Sequence, residues 1–517
     1  MASNFNRRTV LKGGAAGLAY ASAGSMALAD GHGPKKGGTL RLGMGGSNTS
    51  DSWDGRTHSD SFMINVGHGC VFDCMTEVAA DGSLKGELAE SWEASADAKT
   101  WTFNLKKGVT FHNGKDFSAD DVIETFAIHT EEGSKSPAKP ILAAVEETKK
   151  LDSHQVQFTL KAGNADFPYL LSDYHIVMHP AGMIQESIEK GIGTGGYKVE
   201  NFEPGVRLLA SKYDGHYKDD ACHFDSIEAL AINDTAARMN AVMTGQVDAI
   251  NKVDFATMQM LERNPGVNIV EVTGNQHYTF PMHANVGPFD NADVRKAIKW
   301  GVNRQELVNK ILQGHGAVAN DHPIGPANQY FASDLAQTEY DPDKSKFHLK
   351  QAGLDSLDID LSASGAAFNG AVDAALLMQA SAKAAGININ VVREPQDGYW
   401  SNVWLKKPFC ACYWSGRATE DWMFSTAYET GVPWNDTFWE NERFQSLLLE
   451  ARAELDTTKR REMYTEMQMI CSTEGSTVIP MYANYVDAAS SKLANSGTIG
   501  NLWMLDGSRI CERWWFS

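Results

Sequence analysis

Short strands with apolar side chains at every second position alternate along this chain with amphipathic helices, and this mixture restricts the fold to the α/β classes. Trp101, Phe103 and Leu105 form the apolar face of one predicted strand. Residues 39–42 and 156–160 predict two others. Because no internal repeat or low-complexity linker interrupts the alternation, we predict an α/β organisation throughout.

Two helices have clear start signals. Ser118 and Asp121 resemble a capping box, which opens a helix that runs to about Thr130. Asp290 or Asn291 caps a second helix, which we expect to continue without a break until Gly314. The apolar face of this second helix consists of Val294, Ala297, Ile298, Val302, Leu307 and Ile311.

The first 29 residues have the pattern of an export signal. Arg7 and Arg8 stand just before a mildly apolar run, residues 13–28, which ends in the small-x-small cleavage pattern Ala27-Leu28-Ala29. Two adjacent arginines in this place are typical of the twin-arginine pathway, which exports folded proteins. We therefore expect a chain that is cleaved near Ala29 and works in the periplasm.

Composition excludes several classes of protein. The signal carries three positive charges and no acid, so its removal takes the formal net charge from −19 to −22, which disfavours nucleic acid as a partner. No later stretch approaches the roughly 18 consecutive apolar residues of a membrane span. The seven cysteines lack CxxC spacing, and their odd number leaves at least one thiol free.

One glycine-rich segment imitates a dinucleotide-binding motif. Residues 191–196, GIGTGG, satisfy GxGxxG, but that motif requires a strand before it and a helix after it. Here a helical pattern precedes at 183–190 and a strand pattern follows at 197–202, so we predict a helix end and a tight turn. HExxH, GxSxG and Walker motifs are also absent from the sequence. We expect no cofactor and no enzymatic activity.

Aromatic residues concentrate between positions 399 and 439. Six of the 13 tryptophans fall there, together with Arg417, Asp421 and Asn435. Aromatic walls with a few charged groups suit a small polar ligand, and an arginine among them suits a carboxylate. The alternative is a tryptophan-rich core with an internal salt bridge. We interpret the segment as a binding site that includes Trp400, Tyr413, Trp414, Arg417, Asp421, Trp434 and Asn435.

A set of short motifs runs in order along most of the chain. They are GELAESW at 86–92, TWTF at 100–103 followed by GVTFHNGK at 108–115, GTGGY at 193–197, GQVD at 245–248, DVRKAI at 293–298 and YDP at 340–342. Together they resemble the extracellular solute-binding proteins of family 5, the peptide and nickel group of ABC importers. The third motif departs from the family's GTGPY, because Gly196 replaces the proline.

The resemblance implies a two-lobed periplasmic binding protein fold of type II, with an extra subdomain in the first lobe. It implies a monomer that closes on a peptide or similar small polar solute and delivers it to ABC permease and ATPase subunits at the inner membrane. The implied divisions are a signal at 1–29, a first lobe at 30–70, 195–281 and 487–517, its extra subdomain at 71–194, and a second lobe at 282–486.

One departure from the family bears on the ligand. Peptide-binding members commonly place an aspartate in a W-x-x-D pattern, where it pairs with the amino group of the peptide. In this chain Arg417 occupies that place after Trp414, and an arginine attracts an anion instead. We hypothesise that the solute is anionic or zwitterionic. Arg417 would bind its anionic group, and Asp421 would bind its cationic group. The alternative is that Arg417 pairs with Glu420 or Asp421.

The first-lobe part of the site is the least defined by sequence. Trp53, Tyr278 and Asn285 are candidates because they lie near predicted strand ends and crossovers. His277 and His283 keep open a metal-chelate carrier as a second class of function. An exported cofactor enzyme is a third class, which the absence of any cofactor motif disfavours.

Overall fold

The computed structural model describes residues 34–58, 60–134, 136–395 and 399–517. The predicted signal, with Arg7 and Arg8, lies outside the described residues. None of the helices in the described ranges is long and apolar enough to cross a bilayer. All seven cysteines are buried and carry free thiols.

The strands and helices mix along the whole described chain. The strands are β1 Thr39–Met44, β2 Thr76–Val78, β3 Leu84–Gly86, β4 Ala89–Ala94, β5 Thr100–Leu105, β6 Val145–Asp152, β7 Gln155–Leu160, β8 Tyr197–Glu203, β9 Arg207–Lys212, β10 Ser226–Ala231, β11 Ala249–Ile250, β12 Val267–Pro281, β13 Gly316–Val318, β14 Leu357–Ala363, β15 Ile387–Arg393, β16 Cys412–Trp414, β17 Thr477–Ser490, β18 Leu493–Ala494 and β19 Trp515–Phe516. The helices are α1 Ser61–Gly67, α2 Ala119–Thr130, α3 Lys139–Leu142, α4 Phe167–Leu170, α5 Ile184–Lys190, α6 Thr235–Met243, α7 Gln259–Glu262, α8 Ala292–Trp300, α9 Arg304–Ile311, α10 Pro342–Gln351, α11 Ala371–Ala382, α12 Tyr399–Asn402, α13 Glu420–Ala427, α14 Glu442–Ala453, α15 Thr457–Glu474, α16 Met504–Ser508 and α17 Ile510–Arg513, with 3-10 turns at Gly55–Thr57 and Lys383–Ala385.

Several local predictions are confirmed. Strand β5 buries Trp101, Phe103 and Leu105 on one face. Helix α2 begins with the predicted capping box, in which the Asp121 carboxylate accepts the backbone N–H of Ser118 at 2.7 Å. The glycine-rich segment ends α5 and leads into β8, with Gly191 in the left-handed region at a φ of 67°.

The prediction of one helix from Asn291 to Gly314 is wrong, because the structure has two. Helix α8 ends at Trp300, and α9 begins at Arg304 with Asn303 as its N-cap, whose side chain accepts the backbone N–H of Glu306. The apolar spacing continues across the break, since both helices bury side chains in the same core. Periodicity alone therefore concealed a new helix start.

A nine-stranded mixed sheet forms the centre of the molecule, in the order β16-β12-β17-β11-β1-β10-β9-β8, with β13 also paired to β17. Its longest members, β12 and β17, are antiparallel partners that pair from Val267 opposite Ser490 to Pro281 opposite Thr477. The chain leaves the first lobe through β12 and returns through β17. We call these two the crossover strands and the chain between them the second lobe.

A four-stranded antiparallel sheet, β4-β5-β7-β6, forms a subdomain with its own hydrophobic core. That core includes Phe103, Phe158 and Phe167, and it also takes in Trp422 from the second lobe. A buried ion pair joins the same two parts, because Arg460 Nη2 on α15 lies 2.6 Å from Asp166 Oδ2. The subdomain thus contacts the second lobe directly.

A second buried charge network ties the C-terminal helix to the subdomain. Arg509, whose side chain is 1% exposed, pairs with Glu87 and lies 2.7 Å from Glu512. Lys218 Nζ lies 2.6 Å from Glu512 and 2.8 Å from Glu87. Arg513 Nη2 completes the set at 2.7 Å from Glu77.

The charges of this network balance. Its central cations are Lys218, Arg509 and Arg513, and its ionised buried acids are Glu77, Glu87 and Glu512; at its edge, the exposed Lys85 pairs with Glu77 at 3.1 Å and Asp506 pairs with Arg513 at 3.2 Å. Burial opposes ionisation of these acids, but the neighbouring cations lower the pKa of all three. A fourth acid, Asp73, stays protonated at neutral pH because burial and the charge of Glu87 raise its pKa to about 8.

Candidate ligand-binding site

Arg417 lies on a loop that both crossover strands hold in place. Asn275 Nδ2 on β12 donates to the Arg417 carbonyl at 2.8 Å, and the Tyr485 hydroxyl on β17 donates to the Ser415 carbonyl at 2.7 Å. Gly416 between them has a φ of 76°, and a Cβ there would lie 2.2 Å from the Asn275 Cβ. The loop therefore requires glycine, and it fixes Arg417 beside the strands that join the lobes.

The Arg417 guanidinium has no carboxylate within ion-pair distance among the described residues. Its Nη1 donates to the Gly416 carbonyl at 2.8 Å. Its central carbon lies 6.0 Å from the ring centroid of Trp414 and 5.7 Å from that of Trp422. The tryptophan rings thus orient a charge that keeps most of its five N–H donors for other partners.

The two acids expected as alternative partners of Arg417 are engaged elsewhere, so that alternative is wrong for both. Glu420 Oε1 accepts the backbone N–H of Tyr330 at 2.7 Å, and burial raises its pKa to about 7. Asp421 Oδ1 accepts from Arg452 Nε at 2.9 Å, and burial raises its pKa to about 6 against the opposing charge of Arg452. Asp421 therefore has an internal cation partner.

Residues from both lobes surround Arg417. Burial raises the pKa of the Tyr174 and Tyr485 hydroxyls, and the charge of Arg417 acts on both in the opposite sense. Burial, with the charge of Asp60 as a further cause, raises the pKa of Tyr413 to about 12. Asp60 caps α1 in the first lobe and Tyr174 lies in the segment after α4, whereas Tyr413 lies on β16. These groups are close enough to interact, and they place Arg417 in the cleft between the lobes.

An aromatic wall extends from this cleft along the second lobe, and we define it as Trp400, Trp404, Tyr413, Trp414 and Trp434. The Trp404, Trp414 and Trp434 ring centroids are 5.9 to 6.2 Å apart. Trp400 lies 5.6 Å from Tyr413 and 5.9 Å from Trp404. The structure thus brings together five of the predicted site residues, because Arg417 adjoins Trp414.

Tyr278 lies under the wall and is mostly buried. It pairs with Tyr413 across β12 and β16, and its ring stacks on Phe368 at a centroid distance of 4.0 Å. Its aromatic face is therefore already covered on one side. Because Tyr278 and Tyr413 are directly opposite on neighbouring strands, they lie on the same face of the sheet.

The structure separates three other predicted site residues from the cleft group. Trp53 is 2% exposed and packs on Phe202 in the core of the first lobe. Asn435 is buried, and its Nδ2 donates to the Trp439 carbonyl at 3.0 Å within a turn. Asn285 is exposed, and with Asn435 it lines a separate cavity of about 750 Å³.

The histidines kept for a metal site do not form one in the described ranges. His277 is fully buried and its Nδ1 contacts the Asn275 carbonyl at 3.2 Å, while His283 lies against Phe438. Across the described residues, the three-ligand group that converges is Glu77, Glu87 and Glu512. Lys218 and Arg509 already supply the cations there.

Sequence reasoning missed Asp436, Tyr174, Tyr485 and Asp60. Asp436 Oδ2 accepts from Trp404 Nε1 at 3.0 Å, directly behind the aromatic wall. The sequence offered one signal for it, its position two residues after Trp434 in the cluster. The other three come from distant segments, so no local pattern marks them.

Comparison with known proteins agrees with this architecture. A family model of bacterial extracellular solute-binding proteins, family 5, matches residues 83–436. The dipeptide-binding protein of Escherichia coli (strain K12) is 25% identical over 436 residues, which cover 76% of this chain and 79% of that protein.

Two solved structures share the fold. One is the periplasmic binding protein DppA of Helicobacter pylori with the peptide STSA, at a TM-score of 0.79, 20% identity, and coverage of 93% of this chain and 98% of that chain. The other is NikZ of Campylobacter jejuni with Ni(L-His), at a TM-score of 0.79, 20% identity, and coverage of 92% and 99%. These matches confirm the two-lobed α/β fold of type II. With the family match over more than half of its length, the chain belongs to the bacterial extracellular solute-binding proteins of family 5.

Proposed function

We propose that this protein captures a small peptide-like solute with a free carboxylate between its lobes and presents it to an ABC permease and ATPase at the inner membrane. The observation that carries the proposal is Arg417, a cleft arginine without a carboxylate partner in the described part of the chain. The peptide class is supported by the E. coli dipeptide-binding relative and by the DppA complex with a peptide.

The site proposed for this solute consists of Arg417 and the aromatic wall. The wall supplies apolar contact for the solute, and Arg417 supplies a planar fork for its carboxylate. Trp53, Asp421 and Asn435 support the fold instead, because each is buried against partners of its own. Asn285 belongs to the separate cavity.

The remaining parts of the proposal follow from the sequence. The chain is exported by the twin-arginine route with cleavage near Ala29, and it works in the periplasm as a monomer. The first lobe is 30–70, 195–281 and 487–517, with its extra subdomain at 71–194, and the second lobe is 282–486. The boundary at 281 coincides with the end of β12 and the boundary at 486 falls within β17, so both lie on the crossover strands, which supports the division.

Ligand-dependent melting tests the function. Each member of a panel of di- and tripeptides is compared with its C-terminal amide, which lacks the negative charge. A free peptide at 100 times its dissociation constant is expected to stabilise the folded protein by about 2.7 kcal/mol, and its amide by much less. Equal shifts with peptide and amide contradict the role of the carboxylate, and no shift with any peptide contradicts the peptide assignment.

A further inference from the structure

The aromatic wall exposes an unusual amount of ring surface for one small region. Trp400, Tyr413 and Trp434 are 40%, 38% and 41% exposed. Trp400 packs edge-on against Trp404 and Tyr413, and Trp434 packs against Trp404 and Trp414, so neighbouring rings hold all three in place. Contiguous exposed aromatic surface of this kind marks a place where a ligand binds.

A buried negative charge lies behind this wall. Asp436 is 5% exposed, and its carboxylate accepts from Trp404 Nε1 at 3.0 Å. Burial raises the pKa of Asp436 to about 6, while hydrogen bonds from Trp404, Trp414 and Cys412 act in the opposite sense. The group is therefore mainly ionised at pH 7.

Asp436, like Glu420, has no ion-pair partner in the described part of the chain, whereas two other buried acids of the second lobe each have one. Asp421 has Arg452, and Asp321 has Arg304 at 2.6 Å. No lysine, arginine or histidine of the described ranges lies within ion-pair distance of Asp436. Its stabilising donors include neutral indole N–H groups, so its charge remains uncompensated at the wall.

The exposed aromatic rings and the buried Asp436 carboxylate both favour a cationic group on the ligand. Aromatic faces attract cations, most strongly weakly hydrated ones such as alkylated ammonium groups. An indole whose N–H donates to a carboxylate is polarised toward a more negative ring face. The negative charge of Asp436 then adds to the attraction from behind the rings.

We propose that the solute is zwitterionic and that its cationic end, an alkylated ammonium, lies on the wall of Trp400, Tyr413 and Trp434 with Asp436 behind it. This inference rests on the proposed function, in which Arg417 holds the carboxylate. Trp414 adjoins both ends of the site, because its ring centroid lies 6.0 Å from the central carbon of Arg417 and 5.9 Å from the ring centroid of Trp434. Asp436 is a positioning residue that acts through the rings.

A pair of isosteric probes tests the inference. The probes are 4-(trimethylammonio)butanoate and 5,5-dimethylhexanoate, which share the carboxylate and the shape and differ only in the positive charge. Isothermal titration of the whole chain is expected to show the ammonium probe binding about tenfold more tightly. Asp436→Asn, which retains an acceptor for the indoles, is expected to remove most of that preference without weakening the carbon probe.

Trp434→Leu provides a second variant, at an exposed position. It is expected to lower the affinity for the ammonium probe and leave the affinity for the carbon probe unchanged. Arg417→Ala is expected to weaken both probes by the same factor, which reports on the proposed function separately. Equal affinity of the wild-type protein for both probes overturns the inference. If the ammonium probe does not bind but a free peptide still raises the melting temperature, the inference is overturned and the proposed function stands.

Discussion

Replacing Arg509 by methionine is expected to lower the free energy of unfolding by about 3–5 kcal/mol, the usual effect of removing one partner of a buried ion pair. Methionine fills similar volume but leaves Glu87 without its bidentate partner, since Arg509 Nη2 also lies 3.0 Å from the second Glu87 oxygen. Lys218 and Arg513 then face the network's three ionised acids with one positive charge too few. Urea denaturation followed by tryptophan fluorescence measures the loss.

Arg443→Met is the matched control for this substitution. Arg443 pairs with Glu466 at 2.8 Å, but its side chain is 55% exposed. Exposed pairs contribute at most about 1 kcal/mol, because water screens them and holding the side chains costs entropy. If Arg509→Met lowers the free energy of unfolding by no more than Arg443→Met does, the stabilising role of the buried network is contradicted.

Arg460→Met is expected to have an effect of similar size, about 3–5 kcal/mol, since it leaves Asp166 buried without a cation. Arg460 also lies over the rings of Tyr330 and Tyr464, at 5.4 and 5.5 Å, so its loss removes packing within the second lobe as well. The double variant with Asp166→Asn is expected to be more stable than Arg460→Met alone, because no orphaned charge remains.

Urea unfolding of the two single variants and the double variant measures this coupling as a cycle. A double variant that loses the sum of the two single losses shows no coupling and contradicts the ion pair as a joint between subdomain and second lobe. Arg443→Met again serves as the exposed comparison.

Local patterns predicted much of the fold because local physics determines those elements. The alternation at Trp101, Phe103 and Leu105 and the capping box at Ser118 depend on neighbours within a few residues. The helix break at Gly301 was missed because the apolar spacing continues across it. The order of strands in the central sheet depends on pairings between distant segments, so no local pattern predicted it, and the family resemblance implied only the two-lobed fold.

The same contrast between local and long-range determinants applies to the candidate site. Sequence could bring Arg417 and the tryptophans together because they cluster within one segment. It could not show the partner of Asp421, because Arg452 is 31 residues away on another helix. Asn435 and Trp53 have residue types that suit a ligand, but a turn and a hydrophobic core use them. Burial, which sequence does not show, distinguishes the residues with internal partners from those that remain candidates for ligand contact.

The most direct test of the account is the affinity of Arg417→Ala for the free peptide that gives the largest melting shift. Calorimetric titration is expected to show a loss of about 2–4 kcal/mol, roughly 30- to 1,000-fold, because the solute carboxylate loses its charged partner in a cleft. Arg443→Ala, which removes a distant positive charge, is expected to bind as the wild type does. Unchanged affinity in Arg417→Ala contradicts the account.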